Sequence, residues 1–235
     1  MGTKTAPFDN LELRKALKYA LNREELVDKI LLGHGVIGND HPIGPSYRYH
    51  AADIEQLAYD PDKARHHYKK SGLGDTTLDL SASDAAYSGA LDAAVLFQAS
   101  AKEAGININV VREPNDGYWS NVWMKEPWCA AYWGGYPTED TMFSTGFAPG
   151  AAWNDTQWDH ARFNELMVQA RSELNESLRA EMYREMQIIL RDEGGDIVPM
   201  FANQVHARNE KIAHGDLSWV RGFDGLRMLD RWWMV

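Results

Sequence analysis

The residues best suited to chemistry lie between Tyr118 and Trp158, where Trp, Tyr and Phe crowd a stretch that is also rich in Gly, Pro, Asn and Asp. Two groups stand out, Trp133-Gly134-Gly135-Tyr136 and Trp153-Asn154-Asp155, with Asp140 between them. Aromatic rings offer flat apolar area with a polar tip, and glycines let a ligand approach backbone N–H and C=O groups. An amide and two carboxylates would orient the polar parts of that ligand. This is the chemistry of non-covalent capture. Trp123 and Trp128 flank predicted regular elements and are expected in the core.

A rival chemistry uses Glu139, Asp140 or Asp155 as acid and base in a hydrolase or transferase, since paired carboxylates do such work. No partner motif accompanies them. The chain has no G-x-S-x-G elbow, no H-E-x-x-H, no phosphate-cradling G-x-x-x-x-G-K-[ST] and no dinucleotide G-x-G-x-x-G. His66-His67 falls on a predicted helix, where neighbouring side chains diverge by about 100°, so the two imidazoles do not share a metal. His34 and His41 sit in a Gly/Pro stretch without a carboxylate at ligand spacing, and Cys129 lies in a predicted buried strand with no basic neighbour to activate it. No catalytic residue, metal site or cofactor is therefore expected.

The surrounding periodicities say what positions these groups. Leu13, Ala16, Leu17, Ala20 and Leu21 repeat at helical spacing over Asn10 to Leu32, and Asn22 followed by Glu25 divides that span into two helices. Asp60-Pro61 starts a short helix and Gly72 stops it. Thr77–Ala82 and Ile106–Val111 alternate as half-buried strands around a helix over Tyr87 to Ala104, a βαβ unit with a right-handed crossover. A short aromatic helix from Asp116 to Met124 and a strand from Trp128 to Trp133 follow. The span Gly134 to Trp158 reads as loop. Two helices, His160–Leu174 and Glu176–Asp192, close on Gly194-Gly195. Ile197–Phe201 and Gln204–Arg208 read as strands, and Ile212 to Val235 as loop. The fold class is α/β, a mixed sheet flanked by helices, and the first aromatic group leaves a strand's carboxyl end, where open α/β sheets bind ligands.

Composition narrows the partners. With 34 acidic against 24 basic residues and a net charge of −10, the chain lacks the cationic footprint of a nucleic-acid binder. A hydrophobic fraction of 44% supports a sizeable core without disulfides, for which the single Cys129 provides no pair. No apolar run approaches a membrane span, and Met1-Gly2-Thr3-Lys4-Thr5 is not a secretory signal.

An ordered set of short signals gives these elements a family. Phe8-Asp9-Asn10, Leu13-Arg14-Lys15-Ala16-Leu17, Tyr19-Ala20, Asn22-Arg23-Glu24-Glu25-Leu26-Val27 and Ile30-Leu31-Leu32-Gly33 come first. Tyr59-Asp60-Pro61-Asp62-Lys63-Ala64 closing on Ser71-Gly72, Ala104-Gly105-Ile106, Met182-Tyr183, Gln187 to Asp192 and Ile197-Val198-Pro199-Met200 follow. In this order the chain resembles the C-terminal half of a family-5 extracellular solute-binding protein, the dipeptide- and oligopeptide-binding class that feeds bacterial ABC importers.

The resemblance implies a periplasmic-binding-protein-like second lobe over residues 1–200 and a segment, 201–235, that returns to a first lobe. It implies that the first lobe and an export signal precede Met1, so that the chain is a truncated piece of a periplasmic protein. The implied work is reversible capture of a small organic solute for the permease subunits of an ABC transporter. That solute is a short peptide, a sugar derivative, an opine-like conjugate or a metal chelate. Peptide-binding relatives carry a W-x-x-D-Y-x-x-P pattern whose Asp pairs with the peptide's amine. Here Gly135 stands where that Asp would be, so the motif does not support a free peptide N-terminus. Val205, Trp219, Val220, Phe223, Leu226, Trp232 and Trp233 load the final segment with apolar surface. It is expected to fold back on the lobe or to self-associate with a second copy.

Overall fold

Polar residues placed just ahead of apolar periodicities set where the helices begin. A computed structural model describes all residues, 1–235. Its elements in chain order are α1 (Leu11–Ala20), α2 (Arg23–Lys29), β1 (Gly35–Ile37), α3 (Pro61–Ser71), β2 (Thr77–Ala82), α4 (Ala90–Glu103) and β3 (Asn107–Arg112). Then come α5 (Tyr118–Asn121), α6 (Glu139–Gly146), α7 (Ala161–Ser172), α8 (Glu176–Glu193), β4 (Met200–Ala202), β5 (Ile212–His214) and β6 (Trp232–Met234). Asn10, Asn22, Asp60, Thr138, His160 and Asn175 each accept a hydrogen bond from a first-turn N–H of the helix they precede. Gly72, left-handed at φ 73°, ends α3. No helix is long and apolar enough to cross a membrane.

Two large apolar cores and a small third cluster, around Tyr118 and Val122, divide the molecule. In the first, Leu13 and Leu17 of α1, Tyr68 of α3 and Phe97 of α4 pack on Leu78, Leu80 and Ile108 of the β2–β3 pair. In the second, α6, α7 and α8 bring Phe143, Phe163, Leu166, Tyr183 and Met186 together with Ile43 and Tyr47 from the irregular stretch after β1. One face of α1 joins the two cores by closing the carboxyl end of α8. Lys18 Nζ donates to Leu190 O at 3.0 Å and Arg191 O at 2.7 Å, while Arg14 donates twice to Glu193 O at 3.1 and 2.7 Å. Helix ends leave such carbonyls without partners, and cations satisfy them best. Burial holds the Lys18 ammonium down to about 8, partly offset by the Asp40 and Asp196 carboxylates.

The α/β architecture stands, but its pairings are distributed differently from the expectation of one mixed sheet. β2 and β3 pair in parallel, β1 and β4 antiparallel, and β5 and β6 antiparallel, in three separate two-stranded sheets. The expected strand Trp128–Trp133 touches β2 only at a parallel bridge between Ser81 and Cys129. Trp128 O accepts from Ser81 N and Ala130 N donates to Ser81 O, and there the ladder stops. The next acceptor, Ala130 O, is taken by the Tyr118 hydroxyl at 2.6 Å.

Other readings also needed correction. The span read as loop, Gly134 to Trp158, contains α6. Thr138 caps it and Glu139 and Asp140 occupy its first turn, a start signal that the surrounding glycines and aromatics obscured. Gln204–Arg208 is not a strand: it is exposed and has no neighbour to pair with. The tail read as loop from Ile212 carries the β5–β6 pair and a one-turn helix at Met228–Arg231. Between them Phe223, Asp224, Gly225 and Leu226 all take left-handed φ values from 52° to 71°. For the three with side chains this costs roughly 1–2 kcal/mol each. The buried Asp224 carboxylate pins the turn by accepting from Ser218 N at 2.7 Å and Trp232 Nε1 at 3.1 Å, with Arg231 Nε at 2.9 Å.

Candidate functional site

The segment leaving the Ser81–Cys129 bridge runs from Ala130 to Pro137 and carries the first expected group to the surface. Trp133 stands at its centre. Its indole lies over Gly146 of α6, where a Cβ would sit 3.2 Å from the ring, so Gly146 makes room for it. The other face of the cluster is open. Trp153 is 50% exposed and tilts 58° against Trp133 at 6.4 Å between centroids, and Tyr136 approaches Trp133 at 6.5 Å. The expected pairing of Trp133 with Trp153 across a folded-back loop is therefore present in the geometry. Gly134 has nothing within 4 Å of a would-be Cβ and leaves backbone accessible beside the rings.

Gly135 serves another purpose. A Cβ there would meet the Trp219 ring at 3.0 Å and Val220 O at 3.3 Å. The tail thus docks directly on this loop. Trp219 also packs on Tyr47 at 4.6 Å, and the Tyr47 hydroxyl accepts a hydrogen bond from Tyr136 N at 2.9 Å. Burial raises the Tyr47 phenol above its ordinary range, keeping it protonated. Tyr47 was not singled out from the sequence, and Trp219 was named only as part of the tail's apolar surface, because nothing local connects residues so far apart along the chain.

The remaining expected residues do different work. Asp140 faces α7, where it accepts from Arg171 Nε at 2.6 Å, and its neighbour Ser144 completes that surface cluster. Asn154 is buried with its amide engaged throughout: Nδ2 donates to Ala148 O and Trp158 O, and Oδ1 accepts from Trp158 N. It folds the loop that presents Trp153. Asp155 accepts from Trp123 Nε1 at 2.9 Å, and burial raises its carboxyl above the usual range against the opposing pull of the Trp123 and Trp133 side chains. Glu139 is buried and accepts from Tyr49 N at 2.7 Å. These three carboxylates are each engaged by a separate donor: Arg171, Trp123 and the Tyr49 N–H.

A wider aromatic surface continues from the cluster. Trp119 lies edge-on to Trp123 at 5.6 Å and to Tyr132 at 5.5 Å, and both Trp119 and Tyr132 are exposed. Trp123, expected in the core because it flanks a predicted regular element, is only half-buried just after α5, while Trp119 is the ring that reaches solvent. No three His, Cys, Asp or Glu side chains converge as a metal site. The Cys129 thiol is pushed up to about 11 by burial and is no nucleophile at neutral pH.

Comparisons with known proteins bear on this arrangement. The model of bacterial extracellular solute-binding proteins, family 5 Middle, matches residues 1–155. The chain is 26% identical over 207 residues to the dipeptide-binding protein of Escherichia coli (strain K12), a match covering 82% of this chain and 37% of that protein. Among solved structures, NikZ from Campylobacter jejuni in complex with Ni(L-His) superposes with a TM-score of 0.76 at 18% identity, covering 86% of this chain and 44% of its own. The oligopeptide-binding protein AppA from Bacillus subtilis, in complex with a nonapeptide, gives 0.74 at 18% identity and covers 100% of this chain and 49% of its own. The structural likenesses concern the fold. The chain spans less than half the length of each of these proteins.

Proposed function

The chain belongs to the family-5 bacterial extracellular solute-binding proteins, and we propose that it forms the second lobe of the substrate-binding component of an ABC importer. Residues 1–200 would be the ligand-binding lobe and 201–235 the segment that returns to a first lobe. The work is reversible capture of a small organic solute in the periplasm for delivery to the permease subunits, with ligand shifting an open–closed equilibrium as it bridges two lobes. No bond is broken. The observation that carries the reading is the open face of Trp133 and Trp153, two rings held by buried supports beside the unobstructed backbone of Gly134.

Peptide-like ligands fit the aromatic wall, and the E. coli relative is a dipeptide-binding protein. Gly135 supplies no carboxylate for a peptide amine, and Trp219 fills the space beside it. Recognition here therefore leans on ring stacking and backbone groups, and the exposed apolar residues of the tail give a surface through which two copies would associate. The test is titration of a dipeptide series into the full-length protein that contains this lobe. Trp133→Ala and Trp153→Ala should each weaken capture of any bound solute by about tenfold, the equivalent of roughly 1 kcal/mol of stacking plus lost area. Unchanged affinity in both variants would show that these rings are packing alone.

A further inference from the structure

A cavity of about 400 Å³ lies between Tyr136 and Pro137 on one side and the tail residues 218–231 on the other. Its volume is in the range of a small-molecule site. Three arginines line it, Arg221, Arg227 and Arg231, with Asp224 as the lone carboxylate. Asp224 is saturated by Ser218 N, Trp232 Nε1 and Arg231 Nε. Arg227 pairs with Asp230, and Arg231 also donates to Asp216 O. The Arg221 side chain, exposed and among the residues lining the cavity, has no hydrogen bond or ion pair of its own within the chain.

A second, independent observation is the backbone of the wall. The left-handed run Phe223 to Leu226 is costly for side-chain-bearing residues and persists because Asp224 holds it from three directions. Strained segments of this kind collect at ligand sites, where the surroundings over-determine them. The turn places Arg221 before it and Arg227 and Arg231 after it around one opening.

We infer that this cavity binds an anionic oxygen group, carboxylate or phosphate, through Arg221 with Arg227 and Arg231 around it, and so gives the solute-binding lobe a preference for acidic solutes. The inference rests on the solute-binding reading and deepens it, because Tyr136 belongs both to the cavity and to the aromatic wall. A guanidinium fork matches a carboxylate or phosphate in two parallel hydrogen bonds, which an ammonium cannot accept. Where the amine-pairing pattern offers an acid, this chain offers glycine and then three cations, so the end of the solute recognised here has the opposite charge.

The experiment is isothermal titration calorimetry of the 235-residue chain at low ionic strength with three probes in turn: sodium succinate, inorganic phosphate and methylammonium chloride. Saturable binding of succinate or phosphate, none of methylammonium, and loss of affinity on the order of tenfold in Arg221→Ala are expected. Arg221→Lys should recover part of the charge attraction but not the forked geometry. Preference for succinate assigns the site to carboxylates, and preference for phosphate assigns it to phosphoryl groups. Absence of saturable anion binding, or equal affinity in Arg221→Ala, which alters an exposed side chain, overturns the inference. If solute capture by the full-length protein depends on Trp133 while anions do not bind, only this inference fails. If anions bind while the tryptophan variants lose nothing, only the solute-capture reading of the wall fails.

Discussion

Gly135 shows how much one missing side chain decides. Any Cβ there must displace the Trp219 ring or the Val220 carbonyl, so Gly135→Asp should undock the tail while adding the carboxylate that peptide-binding relatives are expected to carry. Trypsin cleavage after Arg208, Lys211 and Arg221 should then accelerate over the parent; identical digestion rates would mean the tail is held elsewhere. A second residue-scale expectation concerns Asp40. It is wholly buried, receives Arg23 Nη2 at 2.5 Å and accepts from Val198 N at 3.0 Å. Asp40→Ala leaves a buried guanidinium unpaired and should cost about 3–5 kcal/mol in urea denaturation. At this scale the sequence revealed the aromatic groups but not their division of labour. Trp153 and Asn154 are adjacent in sequence, yet one ring is half exposed and the other side chain is used entirely by Ala148 and Trp158. That difference is set by how the loop folds, which side-chain chemistry alone does not encode.

Among the elements, the α1–α8 junction makes the sharpest statement about pH. Lys18 is charged in the unfolded chain up to its ordinary value near 10.5, while burial brings the folded value to about 8. The unfolded state therefore holds more protons between those values, and this group's contribution to stability rises as pH climbs from about 8 toward 10. Lys18→Met should abolish that rise, and should also cost on the order of 1–3 kcal/mol at pH 8 by orphaning the Leu190 and Arg191 carbonyls. Urea midpoints of both proteins at the two pH values check it, and parallel shifts would contradict the assignment. Helices with an apolar stripe were legible beforehand: α1, α2, α3, α7 and α8 fall within a few residues of the spans Asn10 to Leu32, Asp60 to Gly72, His160–Leu174 and Glu176–Asp192 read from the sequence. The strands were less so. Alternation located β2 and β3, but β1 has only three residues, and Trp128 to Ala130 depends on whether Ser81 or Tyr118 takes each polar group. Pairing is a long-range property, and a run of β-formers does not say which neighbour will complete it.

At the scale of the whole molecule, Trp219 fastens the start of the tail while Leu226, Leu229, Trp233, Met234 and Val235 remain exposed. Light scattering should show mass rising with concentration, and Trp233→Glu should suppress the rise; a constant monomer mass would leave that surface without a partner of its own kind. The paired tryptophans have an optical consequence as well. Trp119 with Trp123, and Trp133 with Trp153, lie 5.6 and 6.4 Å apart at 76° and 58° between ring planes. Indole transitions this close and this skewed couple as excitons, and each pair adds a bisignate band to the circular dichroism of the peptide backbone. Replacing Trp133 subtracts one such couplet with every helix intact. The spectrum of that variant will differ from the parent's without any loss of folding, and helix content must be followed where indoles do not absorb, in the amide infrared band.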